Sequence, residues 1–269
     1  YESEFDSIDV GEIDHIIFAG MGGSGAIGDI FAAILSKTNI HVEVIKGYVL
    51  PKTVDSDSLV VTTSVSGNTE ETLTILKNAS NLKCKTIAFS DNGKMQKYCL
   101  GNKLEYREIK MEHSPRASFP TFLFSILKIL QPFLPIKKND IISSLDNLEK
   151  QKKIISSENL SNENLALDLA LWISKIPLIY YPWGLQAAST RFKNSLQENS
   201  KMHAITEDLI EACHNGIVAW GKQSNVQPIL IQGEDDHFKT KERWQILKEF
   251  FNRSNIEFKE IHSIQGGII

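Results

Sequence analysis

The sequence predicts an α/β fold organised as two domains, each a parallel sheet flanked by helices, and three observations predict it. Short apolar runs rich in Val, Ile and Phe recur through the chain and alternate with longer stretches of helical spacing. Several runs carry apolar residues at successive positions and end in glycine or small polar residues, the pattern of strands covered on both faces. A polar, charged tract over 137–162 interrupts the alternation, which restarts beyond it. The expected division is a first domain over 1–136, a connecting helix and linker over 137–162, and a second domain over 163–269. With 269 residues the chain is long enough for both to bury a core, since domains centre on about 100–150 residues.

In the first half, HIIFAG at 15–20 reads as a buried strand, and SGAIGDIFAAILSK after it puts Ile27, Ile30, Phe31 and Ile34 on one helical face. HVEVIKGY is the next strand and SLVVTTSVSG a strand followed by a loop. NTEETLTILKNASN is a helix with an acidic first turn, and KTIAFSDNG a strand ending in polar residues. SFPTFLFSILKILQPFLPI is a strongly apolar core helix ended by Pro132 and Pro135. In the second half, IPLIYYPWG is a strand, LQAASTRFKNSLQENS a helix and MHAITEDL a short strand. EACHNGIVAWG is a loop or short helix, VQPILIQGEDD a strand, KTKERWQILKEFFNRS an amphipathic helix and NIEFKEIHSI a final strand.

Composition narrows the function classes. At 42% hydrophobic and 23% charged residues the chain is neither disordered nor fibrous. Lys plus Arg total 29 against 33 Asp plus Glu, and this mildly acidic balance provides no footprint for nucleic acid or an anionic membrane. No apolar run approaches the roughly 18 residues of a membrane span, and the acidic start YESEFDSIDV lacks the features of a signal peptide. Cys84, Cys99 and Cys213 lie far apart without metal-ligand spacing, as reduced thiols of a cytoplasmic protein do.

Two loops carry chemistry. Gly20-Met21-Gly22-Gly23-Ser24-Gly25 follows the first strand and opens a helix, satisfying G-x-G-x-x-G in its required context. Glycines there let the backbone approach an anion at a helix N-terminus. A dinucleotide would also need an acid at the end of the next strand, for the ribose hydroxyl. That strand ends in Lys46 and Gly47 with Glu43 in its middle, which weighs against a dinucleotide. The second loop is Ser64-Val65-Ser66-Gly67-Asn68-Thr69-Glu70-Glu71. Its hydroxyls and backbone N–H groups converge on a helix N-terminus near Thr69, so a phosphate monoester can be held without a lysine. The simpler alternative is a helix cap by Ser66 or Asn68 with acids in the first turn. It accounts for one hydroxyl and the glutamates, but not for Ser64, Ser66, Gly67 and Thr69 together.

S-x-S-G-x-T-x-E after a strand resembles the phosphosugar-binding loop of sugar isomerase (SIS) domains. GMGGSG precedes it, and Pro115-Arg116-Ala117, Gln197-Glu198-Asn199-Ser200-Lys201 and His214-Asn215 follow in order. With these the chain resembles the archaeal-type bifunctional phosphoglucose/phosphomannose isomerases, built from two SIS domains. The resemblance implies an aldose–ketose isomerase that interconverts glucose 6-phosphate and mannose 6-phosphate with fructose 6-phosphate through a cis-enediol(ate). It implies phosphosugar binding by Gly22, Gly23, Ser24, Ser64, Ser66 and Thr69. Such a reaction needs a base over two adjacent carbons, a cation near the two oxygens and an acid–base group to open the ring. The resemblance assigns these to Glu198, Arg116 and His214, with His214 reaching the site from the neighbouring subunit of a homodimer. Taken without the family, Glu198 reads as a solvated glutamate, Arg116 as either a surface ion-pair partner or a fixed positive charge facing a cleft, and His214 as a structural histidine. Arg191, Lys193 and Lys201 read as a solvated face, and His15, His41, His203 and His262 have no constellation around them.

The resemblance implies no metal and no other cofactor, and a phosphosugar as the small-molecule partner, with neither nucleic acid nor membrane. The family carries a further catalytic lysine beyond its last strand. Lys259 falls within the strand and does not match it, so the second domain is expected to lack its C-terminal segment. The rival reading is a non-catalytic phosphosugar sensor, which would keep Ser64, Ser66 and Thr69 but have no use for Glu198 or Arg116. Such a sensor usually carries a basic DNA-binding segment, and none is visible. A glucosamine-phosphate isomerase or synthase is the alternative within the same class.

Overall fold

The computed structural model describes residues 13–264. The acidic start and the terminal Gly-Gly-Ile-Ile, on which the expectations about a leader and a missing tail rest, lie outside the described residues. The chain forms two compact units, Tyr1–Pro135 and Ile136–Ile269.

The first unit runs β1 (His15–Ala19), α1 (Gly22–Leu35), β2 (His41–Ile45), β3 (Leu59–Thr63), α2 (Glu70–Asn81), β4 (Lys85–Ser90), α3 (Gly93–Asn102), β5 (Glu105–Glu108) and α4 (Phe119–Ile129). Its sheet is parallel throughout, in the order β2-β1-β3-β4-β5. β1 and β3 are buried at every position because they lie inside the sheet with helices on both faces. The two-residue period of a strand separates those faces. Phe18 points to α1, where its ring stacks on Phe31 at 5.2 Å. Ile17, Ala19 and Val60 pack with Ile75 and Ala79 of α2 in a second core cluster.

The second unit runs α5 (Lys138–Ile154), α6 (Leu165–Trp172), β6 (Ile176–Tyr181), α7 (Gln186–Ser195), β7 (Ile205–Asp208), α8 (Leu209–Ala212), β8 (Val226–Gln232), α9 (Phe238–Arg253) and β9 (Lys259–His262). Its parallel sheet has the order β7-β6-β8-β9. Leu178, Tyr180 and Leu230 face Trp244, Leu247 and Phe251 of α9. Ile179, Ile229 and Ile231 cluster with Leu169 of α6, with Phe192 of α7 packed against them. Most of the charged tract after 137 is the helix α5, which belongs to this unit.

Three elements have no counterpart in the sequence reading. α3 buries only Met95 and Cys99, too few apolar positions for a helical stripe. β5 is an edge strand, Glu-Tyr-Arg-Glu, recruited by backbone pairing to β4 rather than by hydrophobicity. α6 is apolar on most sides, so its sequence has almost no periodicity to detect. His15 and His41, which the sequence left without a constellation, stack at 4.6 Å at the paired starts of β1 and β2. Ser58 Oγ lies 3.3 Å from His15 Nδ1, so the pair closes the edge of the sheet away from the loops described below.

Phe251 is fully buried, and its ring lies 5.2–6.4 Å from those of Tyr180, Trp220, Phe250 and Phe258. Phe251→Ala is expected to cost about 3–5 kcal/mol, read as a lower urea midpoint for the second unit. Cys99 is fully buried, and burial pushes its thiol up to about 11. Because the thiolate is the reactive form, Cys99 is expected to resist alkylation at pH 8 in the folded protein and to react once denatured. Mass mapping of the labelled cysteines checks this.

Candidate functional site

The order β2-β1-β3 makes β1 the strand where the sheet's winding reverses. α1 leads from β1 to β2 on one side, and after the return over 46–58 the chain enters β3 on the other. Sheets of this kind open a crevice outside the carboxyl ends of the two strands that flank the reversal. Both loops singled out in the sequence emerge there, 20–25 from β1 and 64–71 from β3.

In the first loop, Gly20 N–H donates to Ile45 O at 3.2 Å, and Gly22 takes a φ of +53° that favours glycine. α1 starts at Gly22 with no side-chain cap, and its first helical bond runs from Gly25 N–H to Met21 O. The amides of Gly22, Gly23 and Ser24 therefore have no acceptor within the helix. A Cβ at Gly25 would sit 3.1 Å from Lys46 Cε, and the Lys46 ammonium is paired with Asp29 of α1. The place where a dinucleotide site needs an acid holds a lysine already committed to an ion pair.

The second loop opens α2 with Thr69 as its N-cap residue, and no side chain caps the helix. Neither candidate cap takes that role. Ser66 Oγ accepts from Asn68 N–H at 3.3 Å, and Asn68 Nδ2 donates to Ser66 O at 2.9 Å. The hydroxyls of Ser64 and Thr69 bond each other at 2.9 Å. The first helical bond runs from Leu73 N–H to Thr69 O, leaving the amides of Glu70, Glu71 and Thr72 without a helical acceptor. Two helix N-termini thus present unpaired amides, and the second adds hydroxyls. This is the arrangement that binds a phosphate. Two acids in the first turn of α2 would repel it, and each has a donor. Lys94 Nζ bonds Glu70 at 2.7 Å and lowers its pKa. The Tyr48 hydroxyl bonds Glu71, whose carboxylate raises the pKa of the phenol.

Sequence reasoning missed the residues that hold this loop, which come from the turn after β4. Asp91 N–H donates to Val65 O at 3.0 Å, Met95 N–H to Gly67 O at 2.9 Å and Lys94 N–H to Asn68 Oδ1 at 3.1 Å. The two turns meet backbone to backbone. A Cβ on Gly67 would lie 1.7 Å from Asn92 O, and one on Gly93 2.5 Å from Ser66 O. Ser90 Oγ donates to Asn92 O at 2.8 Å and Tyr106 Oη to Ser90 O at 3.0 Å, bracing the turn from below. The signal in the sequence was Asp91-Asn92-Gly93, a turn tripeptide directly after a strand.

Arg116 is exposed in the segment that leaves β5 at this same carboxyl edge and leads to α4, which packs on α1. Buried Ser118 shapes that segment by accepting from Glu112 N–H and donating to Ser114 O. In the second unit, Glu198 is exposed on a five-residue π-helical turn, Leu196–Ser200, that extends α7. Such turns concentrate at functional sites. Lys201 ends it in the left-handed region at φ +58°, and its ammonium bonds Glu198 O at 2.7 Å, so Lys201 is a clamp as well as a surface charge. His214 is exposed in the turn after α8, where its N–H donates to Glu211 O at 2.9 Å. The structure thus gathers Gly22, Gly23, Ser24, Ser64, Ser66 and Thr69 at one crevice of the first unit. Arg116 lies on that unit's carboxyl edge, and Glu198 and His214 lie on turns of the second. Among the described residues no three His, Cys, Asp or Glu side chains are grouped to hold a metal, and no helix is long and apolar enough to cross a membrane.

The SIS domain family matches residues 12–102, and the family described as the bacterial phospho-glucose isomerase C-terminal SIS domain matches residues 162–269. A bifunctional phosphoglucose/phosphomannose isomerase of Caldicellulosiruptor bescii is 30% identical over 268 residues, covering 94% of this chain and 77% of that protein. A protein of the same name from Aquifex aeolicus is 29% identical, over 87% of this chain and 72% of its own. A crystal structure of a hypothetical protein from Thermus thermophilus shares the fold with a TM-score of 0.74 at 15% identity, covering 95% of this chain and 74% of that one.

Gly67→Ala would drive a methyl group into Asn92 O from a backbone at φ +64°. The variant is expected to lose at least ten-fold in affinity for inorganic phosphate in an equilibrium titration, and about 1–3 kcal/mol of stability.

Proposed function

The chain belongs to the bifunctional phosphoglucose/phosphomannose isomerase family, and on that premise we propose that it interconverts glucose 6-phosphate and mannose 6-phosphate with fructose 6-phosphate through a cis-enediol(ate). The observation that carries the proposal is the α2 N-terminus. Its N-cap threonine does not cap it, and the Thr69 hydroxyl lies 2.9 Å from that of Ser64 beside three amides with no helical acceptor.

In this reading the phosphate is held by Ser64, Ser66 and Thr69 with the α2 amides, and by Gly22, Gly23 and Ser24 of the first loop. Amides and hydroxyls suit a dianion because the helix dipoles add to their pull without a mobile counter-charge. His214 moves the proton that opens the sugar ring. Glu198 removes the proton from C2 of the open aldose and returns it to C1, while the hydroxyl proton of O2 passes to O1, giving the ketose. Arg116, charged at every relevant pH, stabilises the negative charge that develops on the enediolate oxygens. Glucose and mannose 6-phosphates differ only at C2, so both collapse to the same enediol once that proton is gone. The route takes acid–base groups and one fixed cation, and no metal or nucleotide has a step in it. The protein acts in the cytoplasm as a homodimer, with His214 contributed across the subunit interface. A phosphosugar sensor would use the same phosphate loop but would gain nothing from Glu198.

Full-length protein is expected to form fructose 6-phosphate from each aldose phosphate without added metal or nucleotide. Glu198→Gln should lower kcat about 10²–10⁴-fold with KM nearly unchanged, the range for loss of a general base. Thr69→Val should mainly raise KM, by about ten-fold, for one lost bond to a charged oxygen. Turnover of glucose 6-phosphate alone would remove the second substrate. Saturable binding of both sugars with no turnover would move the protein to the sensor class.

A further inference from the structure

Glu207, the third residue of β7, has no part in the mechanism above. It is half-buried, and among the described residues no hydrogen bond or ion pair reaches its carboxylate. Its surroundings are unfavourable to charge. Burial raises its pKa, and Glu211 and Asp208 raise it further. Across the sheet it is in register with Tyr180, whose hydroxyl already accepts from Trp220 Nε1 at 3.0 Å. Cys213 also interacts with it electrostatically. A carboxylate kept unpaired among like charges lowers stability, and such groups concentrate where they have a function.

The carboxylate is seated against the turn that carries His214. A Cβ on Gly216 would lie 2.6 Å from Glu207 Oε1 and 3.0 Å from Oε2, so a side chain there would push the carboxylate out of its present place. The same turn is tied on its other side to Glu211. The N–H groups of His214 and Asn215 donate to Glu211 O, and Asn215 Nδ2 donates to Glu211 Oε1 at 2.7 Å. Glu207 and Glu211 therefore both hold residues 214–216, the first by packing on Gly216 and the second by hydrogen bonds.

We propose that Glu207 is a positioning residue for His214, its carboxylate filling the space left by Gly216 to hold the imidazole-bearing turn and to set a fixed negative charge near the proton that opens the sugar ring. The inference rests on the reading of His214 given above. A carboxylate close to a histidine that passes a proton stabilises the imidazolium formed on the way, as well as fixing its orientation. A merely structural Glu207 would tolerate an isosteric neutral replacement.

The test compares kcat, KM and melting temperature of the full-length parent with Glu207→Gln, Gly216→Ala and His214→Gln, using glucose 6-phosphate. Glu207→Gln is expected to lower kcat at least ten-fold with KM within two-fold. Because the folded-state pKa of Glu207 is raised, its ionisation costs stability as pH rises through and above the carboxylate range. The glutamine variant should therefore melt at or above the parent at pH 7, and lose that advantage in acid, where the carboxyl is protonated in both states. Gly216→Ala, which displaces the carboxylate sterically, should reproduce the loss of kcat. Parent-like kcat in Glu207→Gln, alongside a collapse in His214→Gln, would overturn the inference and leave the role of His214 standing. Parent-like kcat in both would remove that role, and the inference with it.

Discussion

β1 is the first strand among the described residues yet sits inside its sheet, paired in parallel with β2 on one side and β3 on the other. Parallel neighbours require crossovers, and crossovers of one hand place helices on opposite faces when the chain moves in opposite directions from one strand. α1 and α2 therefore lie on different faces while their N-termini open at the same edge. The packing shows this, with Phe18 against Phe31 and Ile17 in the cluster of Ile75. The two loops at this crevice converge because of that reversal. The two glycine- and serine-bearing loops lie about forty residues apart in the chain and become neighbours only because β1 and β3 are paired.

The anion site proposed above relies on backbone amides and hydroxyls rather than on a lysine. Dipoles and hydroxyls are short-range and directional, so they demand that the loop be held still. The turn after β4 provides this by interlocking Gly67 with Asn92 and Gly93 with Ser66 at distances no side chain would allow. Lys94 and Tyr48 act at longer range. By bonding Glu70 and Glu71 they hold two carboxylates that favour the helix dipole but would oppose a bound dianion.

The second unit uses less regular structure for its candidate groups. Glu198 rides on a π-turn closed by a left-handed lysine, and His214 on a turn braced by two glutamates, one of them unpaired. Each feature is unfavourable taken alone and persists because the sheet and α9 beneath it are well packed. Tyr180 is buried in the cluster against which Cys213 and Ile217, either side of His214, pack, and burial pushes its phenol up to about 12. Stability in the core and strain at the rim are complementary parts of one arrangement.

Much of this was legible in the sequence, because the relevant physics is local. Short apolar, β-branched runs such as Ile16–Ala19 and Leu59–Val61 read as strands covered on both faces, because glycine or hydroxyl residues close behind them mark loops. The loop after β3 stood out for the same reason, since Ser64, Ser66, Gly67 and Thr69 fall within six residues. Other features required the tertiary structure. β5 exists because β4 offers it a paired edge, and α6 because three isoleucines of the second sheet need covering. The clamp from Asn92 and Gly93, the commitment of Lys46 to Asp29 and the seat of Glu207 on Gly216 all join segments whose chemistry is unremarkable in isolation. Sequence alone determined most of the strands and helices and singled out the two loops, but not α3, β5 or α6. Which of their side chains meet was decided by strand order, because hydrogen bonds and steric exclusion act over a few ångströms and not along the chain.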